Sequence, residues 1–344
     1  LNTGLSIPGG WIDPYTLSGS EAGQLVVAGF SGGADSTAVL DILVKSGIPV
    51  IAVHINHMIR GDEAVRDAEF CKARAEAYGI GFRLFEIDIP ALAKAGRRGL
   101  EETARDARYS AFASVMKETG ARLLVTAHNA DDNAETVLFN ISRGCSAKGG
   151  CGIPPVRDFP EGNGLVVRPA LKISKAELLA HCKENGLEYM TDSSNSDTAY
   201  SRNRIRKNVI PELTSLNPGF LRAVSSFSEQ LRADCEYLDG EAARFLSSHP
   251  VLRSKELAEL PRPVASRVIA SAAGAAGASP ERRHIEAILN AAAAGESFAV
   301  TLPGSINASI DRKGILSFVF DPRVKKTRPG TEEAKEKKNN PHIY

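Results

Sequence analysis

Leu25-Val26-Val27-Ala28-Gly29-Phe30-Ser31-Gly32-Gly33-Ala34-Asp35-Ser36 is the stretch that decides the fold. A strand-sized apolar run passes directly into a Gly-rich turn, and helix-forming sequence continues from about Ser36 to Lys45. Two glycines let a backbone approach an anion closely, and the unpaired N–H groups of a helix N-terminus point at it. The hydroxyls of Ser31 and Ser36 add two donors. Ser31, Gly32, Gly33, Ala34, Asp35 and Ser36 are therefore the expected phosphate cradle. The turn has neither the lysine of the G-x-x-x-x-G-K-S/T loop nor the third glycine of the dinucleotide fingerprint. Asp35 is its unusual member. A carboxylate beside phosphates repels them unless a cation lies between, so Mg²⁺ is expected there. The competing reading is a plain strand-to-helix turn with Asp35 as its cap.

On either side of this turn the pattern alternates. Residues 50–56, 82–88 and 122–127 read as strands, and 62–78, 100–118 and 131–142 as helices. Strands separated by helices of this length form right-handed βαβ units, so the fold class is α/β with a doubly wound parallel sheet. Ligands of such sheets bind at the carboxyl ends of the strands. Residues 144–168 are rich in Gly and Pro and read as a loop or linker. A helix follows near 174–185, then a polar run over 191–206. From Pro218 the texture changes: Val224, Phe227, Leu231, Leu238 and Phe245 recur at helical spacing. Ser279-Pro280 starts a further helix, with short strands at 298–302 and 315–320. The expected domains are an N-terminal extension (1–23), a domain carrying the phosphate turn (24–217), a second, mainly helical domain (218–325) and a disordered tail (326–344).

With 344 residues, 43% hydrophobic and 24% charged, the chain is long for one core and ordinary in composition, which excludes disordered and fibrous classes. No apolar run approaches bilayer length, so no membrane partner is expected. The start shows no secretory signal, and Leu1 in place of Met reads as a domain cut. The five cysteines are scattered, odd in number and never spaced C-x-x-C, which speaks against a disulfide framework or a cysteine-held metal. A cytoplasmic location follows. A net charge of +1 announces no nucleic-acid binder, but residues 143–207 hold eleven Lys/Arg against seven Asp/Glu. The excess is concentrated in Arg202, Arg204, Arg206 and Lys207. Such a cluster serves either phosphate contact or a solvated basic face.

Three further groups fall at the same sheet edge. His54-Ile55-Asn56-His57-Met58-Ile59-Arg60-Gly61 ends the second strand, where two imidazoles and an arginine are poorly explained by packing, though either His alone could be structural. Thr126-Ala127-His128-Asn129-Ala130-Asp131-Asp132-Asn133-Ala134-Glu135-Thr136 ends the fourth. Its His128, Asp132 and Glu135 share a helix face if the helix starts near 128–131. An acidic first turn could instead merely complement the helix dipole. Leu100 to Tyr109 brings Arg105 and Arg108 to this edge, with surface pairing to Glu101 and Glu102 as the alternative.

The turn Ser31 to Ser36 resembles the S-G-G-x-D-S signature of the ATP pyrophosphatase (PP-loop) superfamily, which cleaves ATP between its α- and β-phosphates to adenylate a substrate. Together with the motifs above, further stretches resemble the tRNA(Ile)-lysidine synthetases. These are Arg143-Gly144 through Pro155, Arg168-Pro169-Ala170-Leu171, Asp192-Ser193-Ser194-Asn195, Tyr200 to Arg206 and Leu216 to Phe220. The resemblance is strong over residues 24–230 and weak to about 325. It departs at Asn129, where a second His is usual, at Asn133 (Gln) and at Met58 (Gly). What it implies is ATP and Mg²⁺ as cofactors, and tRNA(Ile) with a CAU anticodon and free L-lysine as partners, with a homodimer admitted. In that family the wobble cytidine's 2-carbonyl oxygen attacks ATP, and lysine then displaces AMP to give lysidine. Carried onto this chain, Asp35, His128, Asp132 and Arg108 are the catalytic expectation. Asp35 and Asp132 would hold metal, and Asp132 and Glu135 the lysine amines, so Asp132 stays open between the two. Arg143, Lys148, Arg202, Arg204, Arg206 and Lys207 would contact tRNA. A thiolase-type relative, a small-metabolite amide synthetase and a non-catalytic RNA-binding relative are the rivals. The cysteine spacing, the lack of a visible ammonia source and the retained acidic residues disfavour them in turn.

Overall fold

The computed structural model describes residues 24–59, 61–162, 164–191 and 201–321. The N-terminal extension, the C-terminal tail, Arg60 and the motif Asp192 to Asn195 lie outside the described residues. The chain divides into two compact units, Leu1–Arg232 and Ala233–Tyr344.

The first unit begins with β1 (Val26–Gly29), α1 (Ala34–Lys45), β2 (Val50–Asn56), α2 (Asp62–Ala77) and β3 (Gly81–Glu86). A short α3 (Ile89–Gly96) and the long α4 (Leu100–Thr119) lead to β4 (Leu123–Val125) and α5 (Ala130–Ser142). Residues 144–168 are more structured than a linker. They form α6 (Ala147–Gly150) and an antiparallel hairpin of β5 (Val156–Asp158) and β6 (Leu165–Val167). The strand order is β3-β2-β1-β4-β6-β5, parallel throughout except at the β5 edge.

Chain direction across the sheet reverses at β1, whose neighbours are β2 and β4. Such a reversal opens a crevice at the strands' carboxyl ends, because the flanking helices leave toward opposite faces. Alternation along β1 shows the double cover. Val26 and Ala28 pack with Ala38, Leu40 and Leu43 of α1, whereas Val27 packs with Tyr109, Phe112 and Val115 of α4. Then come α7 (Lys175–Glu184), started by a Ser174–Glu177 capping box, α8 (Ser201–Arg204), a π-helical turn (Ile205–Val209) and α9 (Ile210–Leu216). The unit closes in α10 (Phe220–Ser248). The expected boundary at 217–218 lies just before α10, whereas the division between the units falls inside that helix, after Arg232.

The second unit carries α11 (Ser254–Glu259), α12 (Arg262–Ala275), α13 (Arg282–Ala294) and a three-stranded antiparallel sheet. Its strands are β7 (Phe298–Leu302), β8 (Ile306–Ile310) and β9 (Leu316–Phe320). Val268, Ile269, Ile288, Leu302 and Ala308 form its buried core. The cap of α13 is Glu281 rather than Ser279, and β8 is a strand beyond the two expected here. No helix among the described residues is long and apolar enough to cross a membrane.

Candidate functional site

The turn between β1 and α1 is shaped by a glycine in a conformation that strains any other residue. Gly32 has φ +83°, and a Cβ there would stand 3.0 Å from Cys71 Sγ and 3.3 Å from Phe70. Its carbonyl accepts from Met190 N at 2.8 Å and from Thr37 Oγ1 at 3.3 Å, pinning the turn to the segment after α7. Ser36 Oγ donates to the Gly33 carbonyl at 3.0 Å and lies 3.1 Å from Ser31 Oγ. Gly33, in extended conformation, is the N-cap of α1 and has no side chain to use up the first-turn N–H groups. Those donors remain for an anion.

Asp35 sits in the first turn of α1. Burial pushes its carboxyl above the ordinary 3.8; Lys175 opposes this, and the charges of Asp132 and Asp131 add to it. One of its oxygens, Oδ1, is buried and has no hydrogen-bond partner. An orphaned carboxylate oxygen at a phosphate turn fits a divalent cation. Among the described residues no three His, Cys, Asp or Glu side chains gather as a metal cluster. Mg²⁺ does not need one, since it takes one or two carboxylates and completes its shell with phosphate oxygens and water.

Ser31, Asp35, Ser36, Arg108, His128 and Asp132 line one cleft of about 600 Å³. His54 and His57 line it too. The Nδ1 of His54 lies 2.9 Å from the Phe30 carbonyl and 3.3 Å from Cys71 Sγ, which gives that imidazole a structural task. His128 follows β4 and is held by Thr126, whose Oγ1 lies 2.9 Å from Nδ1. Burial, then the charges of Arg168, Arg108, Arg105 and Arg157, depress the His128 imidazole to about 4, so it is neutral near pH 7. Arg108 is exposed as a residue, but desolvation of its guanidinium at the cleft wall lowers its pKa.

The two carboxylates of α5 behave as a pair. Asn129 caps the helix: its Oδ1 accepts from Asp132 N at 3.0 Å, and Asp132 Oδ2 accepts from Asn129 N at 3.1 Å. The other oxygen, Oδ1, accepts from Arg206 Nη2 at 3.0 Å, while Arg206 Nε donates to Glu135 Oε2 at 2.9 Å. Burial raises the Glu135 carboxyl, and Arg206 opposes the shift. Arg206 belongs to the π-helical turn, an irregularity that recurs where a side chain is re-aimed at a functional site. It points at the carboxylates. Arg143 and Arg202 lie 5.2 and 5.1 Å over the Phe139 ring, Arg202 also standing 3.8 Å from Glu101. Arg204, Lys207 and Lys148 are exposed.

The three departures noted in the sequence each have a physical place. Asn129 is the buried cap just described. Asn133 Oδ1 accepts from Ile153 N at 2.8 Å and closes the loop after α6 onto α5. Met58 keeps a left-handed backbone, φ +53°, where glycine would be at ease.

The model of the PP-loop domain family matches residues 14–213, more than half of the chain. The chain belongs to the PP-loop family. That domain is an ATP-binding fold, and the Ser31–Ser36 turn lies within the matched residues. A tRNA(Ile)-lysidine synthase of Parabacteroides distasonis is 40% identical over 225 residues, 65% of this chain and 49% of that protein. A tRNA(Ile)-lysidine synthase of Geobacillus kaustophilus is 35% identical over 258 residues, 72% of this chain and 55% of that one. The chain thus spans about half the length of the curated relatives it matches. Among solved structures, the U34-tRNA thiolase NcsA from Methanococcus maripaludis superposes with a TM-score of 0.50 at 23% identity, covering 60% of this chain and 71% of that one, a likeness of fold.

Two charge effects on residues of the cleft are not legible in the sequence, although the linker Arg143 to Arg157 is expected to contact RNA and Arg168 opens one of the quoted motifs. Lys175, whose charge acts on Asp35, starts a helix that primary structure places 140 residues downstream. Arg157 and Arg168 bear on His128 from β5 and the end of β6. The hairpin returns Arg157 and Arg168 to the sheet edge, and the packing of α7 against α1 brings Lys175 to Asp35.

Proposed function

We propose that this chain ligates free L-lysine to the 2-position of the wobble cytidine in CAU-anticodon tRNA(Ile), converting ATP to AMP and pyrophosphate. The observation that carries the reading is that Asp132 and Glu135, beside the PP-loop cleft, jointly grip a cationic side chain. Paired carboxylates that hold a guanidinium can also take an ammonium as a point charge, which would arrive when Arg206 yields its place. The names of the relatives point the same way.

An amide-like carbonyl is a poor electrophile. Attack of the cytidine 2-oxygen on the α-phosphate forms a P–O bond, breaks the α–β bridge and releases pyrophosphate, leaving a good leaving group on C2. The amides of Gly32 to Ser36 hold the phosphates, and Asp35 would hold Mg²⁺. When bound, the ion would offset charge developing on the departing pyrophosphate. Arg108 serves either the α-phosphate or the lysine carboxylate. In the second step the lysine amine attacks C2, the C2–O bond breaks and AMP leaves.

With an ordinary pKa of about 10.4, roughly one amine in 10³–10⁴ is neutral at pH 7, a deficit of about 4–5 kcal/mol. His128 can take the amine's proton at Nε2 if Nδ1–H donates to Thr126 Oγ1. Its basicity is held down first by burial and then by arginines, and a phosphate lying among the arginines offsets their share, so the base strengthens when substrate is in place. Residues 24–217 would carry this chemistry. Residues 218–325 would grip a tRNA stem or brace the first domain.

The decisive experiment is mass spectrometry of CAU-anticodon tRNA(Ile) after incubation with the protein, ATP, Mg²⁺ and lysine. A lysine residue gained at the wobble cytidine is expected. An unchanged nucleoside, or sulfur exchanged for oxygen when a sulfur donor is supplied, overturns the reading. Asp35→Asn and His128→Ala should each abolish lysine-dependent turnover, and full activity in either removes that residue from the mechanism.

A further inference from the structure

Arg105 and Arg108 stand one turn apart on α4, and Arg157 and Arg168 converge on the same place from the β5–β6 hairpin. Tyr109 is the hub. Arg105 and Arg157 lie 5.2 and 5.1 Å over its ring, its charge acts on Arg168, and Arg168 donates from Nη1 to the Pro154 carbonyl at 2.5 Å. The acids of α4 are engaged elsewhere: Glu102 and Asp106 both hold Arg98 at 2.6 Å, and Glu101 stands near Arg202. Glu101 is the acid whose charge reaches Arg108, but among the described residues none of the four arginines is in an ion pair. Arg157 Nε and Nη2 and Arg168 Nε are buried without an acceptor. Contact with an aromatic face is worth about 0.5–2 kcal/mol per guanidinium and does not remove the mutual repulsion. A partly buried cluster of one sign is completed by an anion.

The geometry points to a phosphodiester site. Arg105 and Arg157, beside Arg108 at the cleft wall, take a backbone phosphate of the RNA strand that carries the target base into the cleft. This rests on the RNA reading above and adds to it the place where the strand is held. The nucleotide's own phosphates have a separate cradle in the PP-loop with Asp35, and Arg105 and Arg157 do not line that cleft. Arg105 is exposed, one turn before Arg108 on α4. A base splayed from a single strand drags its flanking phosphates to the mouth of the pocket it enters, and the planar fork of arginine matches two phosphate oxygens. Arg168, buried and tied to Pro154, acts as the rigid positioning residue of the group.

The test is binding of an anticodon stem-loop RNA over a salt series, with Mg–ATP binding measured separately without RNA. In Arg105→Gln, and further in Arg105→Gln/Arg157→Gln, the slope of log affinity against log salt should flatten by about 0.7 for each phosphate that the protein no longer neutralises. ATP affinity should hold, and Arg157→Lys should retain most of the slope. Arg105 is exposed, so its variant reads out even if the Arg157 variants melt early. An unchanged slope in Arg105→Gln and the double variant makes the cluster structural and overturns the site. Loss of ATP affinity with RNA binding intact assigns the arginines to nucleotide phosphates, which also overturns it. RNA held with the arginine-dependent slope but gaining no lysine supports the site and sinks the proposed reaction instead.

Discussion

Met58 shows how a single residue can be carried at a cost. Its φ of +53° is a conformation an L side chain enters at about 1–2 kcal/mol, and its side chain is exposed, so no packing offsets that. Met58→Gly should therefore stabilise the protein by about 1 kcal/mol, read as an increased midpoint in urea; a decrease would mean the side chain contributes something the fold does not display. His128 makes the opposite kind of statement, through protons. Its folded value of about 4 lies below the ordinary 6.5, so as pH falls the unfolded chain takes up the proton first. The associated stability is whole above pH 6.5 and drains away between 6.5 and about 4, to a total of about 3 kcal/mol. His128→Gln cannot titrate. The stability gap between wild type and this variant should shift against the wild type by about 2–3 kcal/mol between about pH 7 and pH 4.5, and a constant gap would show an imidazole that is not depressed.

The helix α5 is where cap, candidate site and fold meet. Asn129 satisfies a first-turn donor and at the same time receives Asp132 through its own N–H, so the cap also fixes the carboxylate. Asn129→Ala should cost about 1 kcal/mol of stability, and should raise the KM for lysine more than the affinity for ATP falls, because the PP-loop lies on a different helix. A purely thermal effect with unchanged KM would reduce Asn129 to a cap. The same stretch shows what the sequence makes legible. β1, β2, β4 and the helices between them can be read because apolar runs and helical periodicity recur with Gly-rich turns between. The phosphate turn can be read because its donors are local to six residues. The β5–β6 hairpin cannot: its strands are three residues each in Gly- and Pro-rich surroundings, too short to show alternation. Charge clustering assigns Arg206 to RNA, yet it lies on Asp132 and Glu135, 74 and 71 residues away in sequence. Charge counting finds such a cation but cannot aim it. The π-helical turn that does so has no signature in composition.

For the molecule as a whole, the division inside α10 has a thermodynamic consequence. A 29-residue helix with apolar side chains at helical spacing along its length gives no hint of a boundary, which is why the textural change at Pro218 is the nearest visible mark. The units part after Arg232, and every residue lining the PP-loop cleft belongs to the first. A ligand stabilises only what must be folded to bind it. Mg–ATP at about a hundred times its Kd should add about 2.7 kcal/mol to the opening free energy of that unit. Hydrogen exchange would show the gain in peptides from β1, α1, β4 and the start of α5, whose amides hold or underlie the cleft. If the units unfold separately, amides of Val268, Ile288 and Ala308 in the second core exchange at the same rate with and without nucleotide. Equal slowing there would mean that the opening of one unit requires the opening of the other, and that α10 transmits nucleotide binding across the point where the units divide.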